Sequence, residues 1–217
     1  MPGYNLLPHL SDSGEAGTWP RDAVFSGRER HSSSRYRTLG YPCRCVRTAT
    51  HLYIRNFAPE RWPAGTPQKY AEVDFDEQGN LVASKLGPEH GGYHDIDACP
   101  TLDWMIAHRD QAGAATLFRA AVAKRPAEEL YDIRDDPACL NNLVGQADAK
   151  AVHETLRQRL TEYLRETGDV RVTDPEKADV WETYPRVSRL RWFPTPQWAV
   201  ESPEKVPRQD WLEKRRP

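Results

Sequence analysis

The fold is organised around residues 124–143, which read KRPAEELYDIRDDPACLNNL. Within this stretch, residues 129–133 alternate polar and apolar side chains, and this pattern predicts a short, half-buried strand. Pro137 follows two aspartates and fits the first turn of a helix, where its missing N–H costs nothing. Asn141 and Asn142 can hydrogen-bond to nearby backbone and end that turn. We therefore expect a strand, an acidic turn, one helical turn and an exit into a long helix.

The long helix is predicted directly downstream. Apolar residues recur at helical spacing from Val152 to Leu164. Asp148 can cap the amino end of this helix, and Gly168 can end it in the left-handed conformation. This segment therefore has a start signal, an apolar face and a stop signal.

Upstream, strand-forming residues alternate with short turns in three segments: residues 22–26, 41–47 and 51–57. The last two are separated by a connection of hairpin length. Two further helices are predicted over residues 100–108 and 116–124, whereas residues 68–98 are weakly patterned. Because early strands followed by helices are typical of α+β folds, we predict an α+β fold with a small antiparallel β-sheet packed against a long C-terminal helix. Extended loops and an irregular C-terminal arm complete the prediction.

The sequence divides into three predicted segments. Residues 1–20 form a lead-in, residues 21–168 the main compact region, and residues 169–217 an extended arm rich in proline and aromatic residues. Six aromatic side chains are expected to hold this arm on a surface: Trp181, Tyr184, Trp192, Phe193, Trp198 and Trp211.

Composition and charge argue against several classes of partner. The chain has 30 basic and 32 acidic residues, so no whole-chain field favours nucleic acid or a membrane surface. No run approaches the roughly 20 apolar residues that span a bilayer. The first ten residues lack the basic start and apolar run of an export signal. We therefore expect neither a nucleic-acid nor a membrane partner, and localisation is left open.

The cysteines do not follow a metal-binding pattern. They stand at Cys43, Cys45, Cys99 and Cys139, with neither a Cys-x-x-Cys pair nor a Cys/His zinc spacing. We expect them to act as small buried hydrophobes, and we predict no metal site in this chain.

Several blocks of the sequence together resemble the sulfatases. In the central stretch, ELYD, DP and NL resemble the closing signature of that family, particularly of the heparan N-sulfatase (N-sulfoglucosamine sulfohydrolase) branch, within the alkaline-phosphatase-like superfamily. Other blocks resemble the family in the same order along the chain: residues 25–31, 39–48, 52–57, 61–65, 124–132 and, less closely, 181–185. The resemblance implies that residues 21–168 form a sulfatase C-terminal subdomain.

The resemblance also implies where the chemistry of the family would take place. Sulfatases use a formylglycine, made from the cysteine of a Cys-x-Pro/Ala-x-Arg motif, and a calcium ion, and both belong to the large N-terminal domain. Nothing in this sequence resembles that domain. The resemblance implies that the large domain would cover an apolar face of the sheet, so we expect Tyr53 and Phe57 to remain in contact with water. Residues 43–47 place Cys43 and Arg47 at the ends of such a motif, but Cys45 stands where proline or alanine is needed. We therefore expect no catalytic residue and no cofactor in this chain, and no turnover by the chain alone.

The resemblance points to one candidate substrate-binding segment, composed of Arg28, Glu29, Arg30 and His31. In the family this loop faces the catalytic pocket, so the arginines could pair with sulfate or carboxylate groups of a sugar. Glu29 and His31 could hydrogen-bond sugar hydroxyls. The alternative is a solvated charged loop, or an internal pair between arginine and glutamate.

Other polar residues are given structural roles. His94 and Asp95 are attributed to the polarity of a glycine-rich loop, and Arg44 is expected to be a structural or interface charge. We expect Asp132, Asp135 and Asp136 to cap turns, because their spacing lacks a full set of calcium ligands.

The predicted function is therefore that of a sulfatase C-terminal subdomain, whose parent reaction would remove sulfate ester or N-sulfate groups from saccharides. Two alternatives stay open at this point. The chain could be a non-catalytic module that binds sulfated glycans, or the partner of a separately encoded sulfatase catalytic domain.

Overall fold

The computed structural model describes residues 7–10, 21–78, 80–183 and 190–209. Within these ranges the strands are β1 Ala23–Arg28, β2 Cys43–Thr48, β3 His51–Asn56, β4 Tyr70–Phe75, β5 Leu81–Leu86 and β6 Glu128–Asp132. The α-helices are α1 Leu7–Leu10, α2 Pro100–Ala107, α3 Ala114–Val122, α4 Lys150–Glu166, α5 Val170–Thr173, α6 Val180–Thr183 and α7 Gln197–Glu201. Short 3-10 turns cover Tyr36–Thr38, Pro175–Lys177 and Pro203–Lys205.

Contacts group the chain into two compact units. The first contains residues 1–27, 44–55 and 128–174, and the second contains residues 28–43, 56–127 and 175–217. Both units are discontinuous in sequence because strand pairing and packing bring distant segments together. The predicted segments 1–20, 21–168 and 169–217 divide the chain by composition and stay a prediction.

The first unit is built on a four-stranded sheet in the order β1-β2-β3-β6. The predicted strand in the central stretch is confirmed as β6, which pairs antiparallel with β3 in a register that places Tyr53 opposite Leu130 and Leu52 opposite Tyr131. Asn142 fixes the segment that follows, because its Oδ1 accepts hydrogen bonds from the backbone N–H groups of Leu130 (2.9 Å) and Val144 (3.1 Å). The antiparallel sheet of the predicted α+β fold is thus present.

Helix α4 supplies the other half of this unit. Its buried face consists of Leu156, Leu160 and Leu164, one helical turn apart. Phe25 of β1 stacks on Tyr163 with ring centroids 3.8 Å apart. The helix ends as predicted, since Gly168 has a φ of +71° and the N–H of Asp169 donates to the Leu164 carbonyl at 2.8 Å. The longest described helix is therefore internal to the chain, with the arm following it.

Three details of the first unit correct the sequence-based expectations. Asp148 is not the N-cap of α4, because that position belongs to Ala149, which makes no side-chain cap. The segment that contains Pro137 forms an isolated turn and not a helical turn, and this turn is closed by the hydrogen bond that the N–H of Cys139 donates to the Asp136 carbonyl at 3.0 Å. Tyr53 is fully buried, with 0% of its surface exposed, because its sheet face is covered by α4, where the Tyr53 ring lies 5.6 Å from that of His153.

The second unit contains a hairpin that the sequence did not reveal. Strands β4 and β5 pair antiparallel within the weakly patterned segment 68–98. Their turn is closed by Asp76, whose side chain accepts a hydrogen bond from the N–H of Asn80 at 2.7 Å. Both strands carry many exposed polar side chains, so the apolar alternation that marks a half-buried strand is weak.

Two short helices, close to their predicted positions, form the apolar core of the second unit. Phe118 and Val122 of α3 are buried together with Ala64 and Tyr93, and Met105 and Ile106 of α2 pack against them. This core anchors the loops around residues 62–66 and 91–95, which carry the candidate site.

The described part of the arm has short helical turns linked by irregular backbone. The backbone N–H of Tyr70 donates to the Trp192 carbonyl at 2.9 Å, and the Trp192 ring meets Phe75 edge-on at 5.0 Å. Phe193 is buried. These contacts hold the arm against the hairpin, whereas Trp181 is 45% exposed and Tyr184 and Trp211 lie outside the described residues.

Candidate functional site

The four predicted site residues lie at the end of β1 and in the loop that follows it. Arg28 is exposed, and its Nη2 donates to the Pro63 carbonyl at 3.4 Å. The carbonyl of Glu29 accepts a hydrogen bond from the N–H of Tyr41 at 2.8 Å. These two bonds tie the start of the loop to neighbouring backbone.

The other two residues point to different partners. Arg30 donates from Nη1 to the Thr38 carbonyl at 3.2 Å, so its guanidinium braces the loop from within. His31 is exposed, with its Nδ1 3.7 Å from Oδ1 of Asp95. The structure therefore brings Arg28 and His31 toward one centre, whereas Arg30 stabilises the loop to which it belongs.

That centre is a buried ion pair between Arg35 and Asp95, whose side chains are 3% and 2% exposed. The Arg35 guanidinium also donates to the carbonyls of Trp62 (2.6 Å, from Nε) and Pro63 (2.7 Å, from Nη2). Its remaining nitrogen, Nη1, is buried and finds no hydrogen-bond acceptor among the residues that the structure describes. A charge this deeply buried is stable only with such partners.

Asp95 is held from two sides. Its Oδ2 pairs with Arg35, and its Oδ1 accepts hydrogen bonds from the hydroxyls of Ser32 and Ser34, each at 2.7 Å. Burial by itself disfavours the charged carboxylate, but Arg35 and the two hydroxyls outweigh it and hold the pKa of Asp95 below its usual range. Burial also disfavours the charged form of Arg35 and therefore lowers its pKa, while the negative charge of Asp95 opposes that shift. Asp95, which was attributed to the polarity of the loop, is therefore the buried carboxylate of an ion pair that holds this loop in place.

His94 next to this pair is kept neutral. Burial is the main cause that lowers the pKa of His94 to about 4, and the positive charges of Lys69 and Arg191 add to it, while Asp95 opposes them. His94 is therefore uncharged at neutral pH.

The second unit also contains a cavity of about 270 Å³. Its walls include Arg35, Arg61, Trp62, Lys124 and Trp198, together with several prolines and polar side chains. Lys124 lies 5.3 Å from the centre of the Trp62 ring, and the Arg61 guanidinium lies 5.7 Å from that of Trp198. Two aromatic walls thus stand beside cationic side chains.

Arg61 is fixed by a second buried pair. Its Nη1 donates to Glu182 Oε1 at 2.5 Å, and Oε2 of the same carboxylate accepts the N–H of Gly40 at 2.7 Å. Glu182 is 3% exposed. This contact connects the candidate loop, the Trp62 segment and the arm within one unit.

In the first unit, the remaining candidates have structural roles. Asp132 Oδ1 accepts the N–H of Arg134 at 3.0 Å, and Asp136 Oδ2 accepts that of Asn141 at 2.8 Å, which confirms both as turn caps. Arg44 pairs with Asp169 at 2.6 Å. Cys45 Sγ lies 3.0 Å from the Ser26 hydroxyl. Among the described residues, no group of three or more His, Cys, Asp or Glu side chains is arranged to hold a metal ion.

Sequence reasoning missed the residues that shape the cavity. Trp62 and Trp198 stand 136 positions apart, in a loop and in the short helix α7, and Arg35 lies in a serine-rich loop. A single sequence carries no signal that would join them.

Comparison with models of known protein families gives no match, and comparison with curated proteins gives none either. The resemblance to sulfatases therefore stays a prediction based on the sequence blocks.

Proposed function

We propose that this chain provides the C-terminal subdomain of a sulfatase-like protein and recognises a sulfated saccharide with the loop Arg28–His31. The proposal rests on the ordered sequence blocks and on one structural observation. Arg28 and His31 approach the buried pair of Arg35 and Asp95 while both remain exposed. The pair fixes the loop, so these two side chains can meet a ligand without much loss of conformational freedom.

The chemistry of the loop suits a sulfate group. A guanidinium offers planar, paired donors to the oxygens of a sulfate or carboxylate. The exposed ring of His31 can hydrogen-bond a sugar hydroxyl. Arg30 contributes by bracing the loop, and Glu29 contributes through its backbone carbonyl. In this proposal the reaction of the parent family, with its formylglycine and calcium, is not assigned to residues of this chain.

Binding of a sulfated heparin disaccharide, measured by calorimetry, tests the proposal. We expect Arg28→Ala to weaken binding at least about fivefold, because a charge-assisted contact is lost. The matched control is Arg119→Ala, which removes an exposed arginine of α3 elsewhere in the same unit and should leave the affinity unchanged. Absence of binding by the wild-type chain, or equal losses in both variants, would refute the proposal.

The two alternative roles are separated by activity. As a binding module, the chain binds the disaccharide and stays inactive when mixed with a sulfatase catalytic domain. As a partner, it co-purifies with such a domain and raises its activity on an aryl sulfate. Turnover of the aryl sulfate by the chain alone, abolished by chelating calcium, would contradict the expectation that catalysis belongs to another domain.

A further inference from the structure

We propose that the cavity between Trp62 and Trp198 is a second binding site, for a pyranose that carries one anionic group. None of the residues Arg28–His31 lines this cavity. The site is therefore separate from the loop of the proposed function, and neither depends on the other.

The size and walls of the cavity favour a single sugar ring. A volume of about 270 Å³ is at the small end of ligand pockets. Trp62 and Trp198 are both half-buried, so each keeps part of its indole available to a ligand. Aromatic rings in this position provide a broad apolar surface for the C–H faces of a pyranose.

Lys124 is the cationic group of the cavity that can meet an anion. Arg61 pairs with both Glu182 and Glu60, and Arg35 pairs with Asp95. Lys124, in contrast, is exposed and makes no ion pair with any residue that the structure describes. A carboxylate or sulfate in the cavity would supply an oxygen for the ammonium group of Lys124.

The polar residues of the cavity wall favour a sugar acid over a flat aromatic acid. Gln68 uses its Nε2 to donate to the Gly87 carbonyl at 2.8 Å, and Glu60 lies 3.3 Å from Nε of Arg61. Both carry carbonyl or carboxylate oxygens that can accept hydrogen bonds from hydroxyl groups. A plain aromatic acid has no hydroxyls to offer these acceptors, so we expect it to bind more weakly than a sugar acid.

An adjoining groove gives the ligand room to extend. Glu60 and Trp198 also line a groove of about 400 Å³ together with Phe57, Ser202 and Lys205. Because the two spaces share these two residues, a sugar in the cavity can continue into the groove as part of a longer saccharide.

The test is titration of the full chain with glucuronate, glucose 6-sulfate, glucose and benzoate, followed by calorimetry or NMR. We expect both anionic sugars to bind more tightly than glucose and benzoate. The ratio between the two anionic sugars identifies the preferred group. Equal binding of glucose would refute the charge argument, and equal binding of benzoate would refute the assignment to sugars.

Two variants with matched controls locate the site. We expect Lys124→Ala to weaken glucuronate binding about fivefold or more, and Trp198→Ala to abolish it. Their controls are Lys85→Ala and Trp104→Ala, since both side chains are exposed in the second unit and neither lines the cavity. Loss of binding in the controls to the same extent, or no binding by wild type, would overturn the proposal. Arg28→Ala should leave glucuronate binding intact, so failure of one site is distinguishable from failure of the other.

Discussion

At the scale of single residues, Asp95 has the largest structural effect on the candidate site. It neutralises Arg35 and accepts hydrogen bonds from two serines of the loop that carries Arg28 and His31. Ion pairs on the surface contribute little, but removing one member of a buried pair leaves an uncompensated charge. The loop therefore depends on this carboxylate for its conformation.

Replacing Asp95 with leucine should destabilise the protein by about 3–5 kcal/mol, because Arg35 would stay buried without its counter-charge. The double variant Arg35→Met/Asp95→Leu should recover most of that loss, since no buried charge remains. Urea unfolding of wild type, Asp95→Leu, Arg35→Met and the double variant measures the four free energies of unfolding. If the double variant were as unstable as the sum of the single changes, the two residues would not act as a pair.

His94 makes a second prediction at this scale. Its pKa is about 4 in the folded chain, against an ordinary value of 6.5. Between these two pH values the unfolded chain binds more protons than the folded chain. The free energy of unfolding therefore rises with pH over this range and decreases on acidification toward pH 4. His94→Gln should flatten this dependence. Unfolding curves between pH 4 and 6.5 test it, and the range from pH 7 to 8.5 is the internal control, since His94 is neutral there in both states.

At the scale of elements, α4 stabilises the first unit through one apolar face. Three leucines of this helix are buried, and aromatic contacts join it to β1 and β3. Most helical stability in proteins comes from packing of the apolar face, so packing against the sheet supplies most of the stability of α4. The same packing buries Tyr53, whereas the family resemblance implied that Tyr53 contacts water.

Leu160→Ala should therefore lower the free energy of unfolding by about 2–5 kcal/mol. Leu160 is 1% exposed, so the substitution leaves a cavity where its side chain was packed. Leu140→Ala is the matched control, since Leu140 lies in the same unit and is 52% exposed. Chemical denaturation compares the two. Equal losses in both variants would mean that the face of α4 is not the core of the unit.

At the scale of the whole molecule, charge is balanced. The formal net charge is −2, so the binding of an anionic saccharide that we propose would depend on the positions of Arg28 and Lys124 and not on a field of the whole chain. No helix in the described part of the chain has the length and apolar character needed to cross a bilayer. The two compact units are each assembled from three separate stretches of sequence. In each unit, residues far apart in the chain therefore share one core.

The sequence by itself determined the elements with strong local signals. Periodic apolar residues predicted α4, a glycine predicted its end, and alternation around Tyr131 predicted β6, because these patterns arise from the geometry of helices and strands. It also marked Arg28 and His31 as candidates through the family resemblance. The hairpin of β4 and β5 was missed because β5 exposes three apolar side chains, at Leu81, Val82 and Leu86, so the hairpin as a whole lacks a clear apolar alternation.

Only the tertiary structure decided which distant residues meet. Arg35 and Asp95 are 60 positions apart, and Arg61 and Glu182 are 121 apart. Each of these charges has the same appearance in the sequence as a solvated surface charge. Burial and pairing are properties of the folded contacts, and so the buried ion pairs and the tryptophan cavity could be found only where the chain brings these segments together.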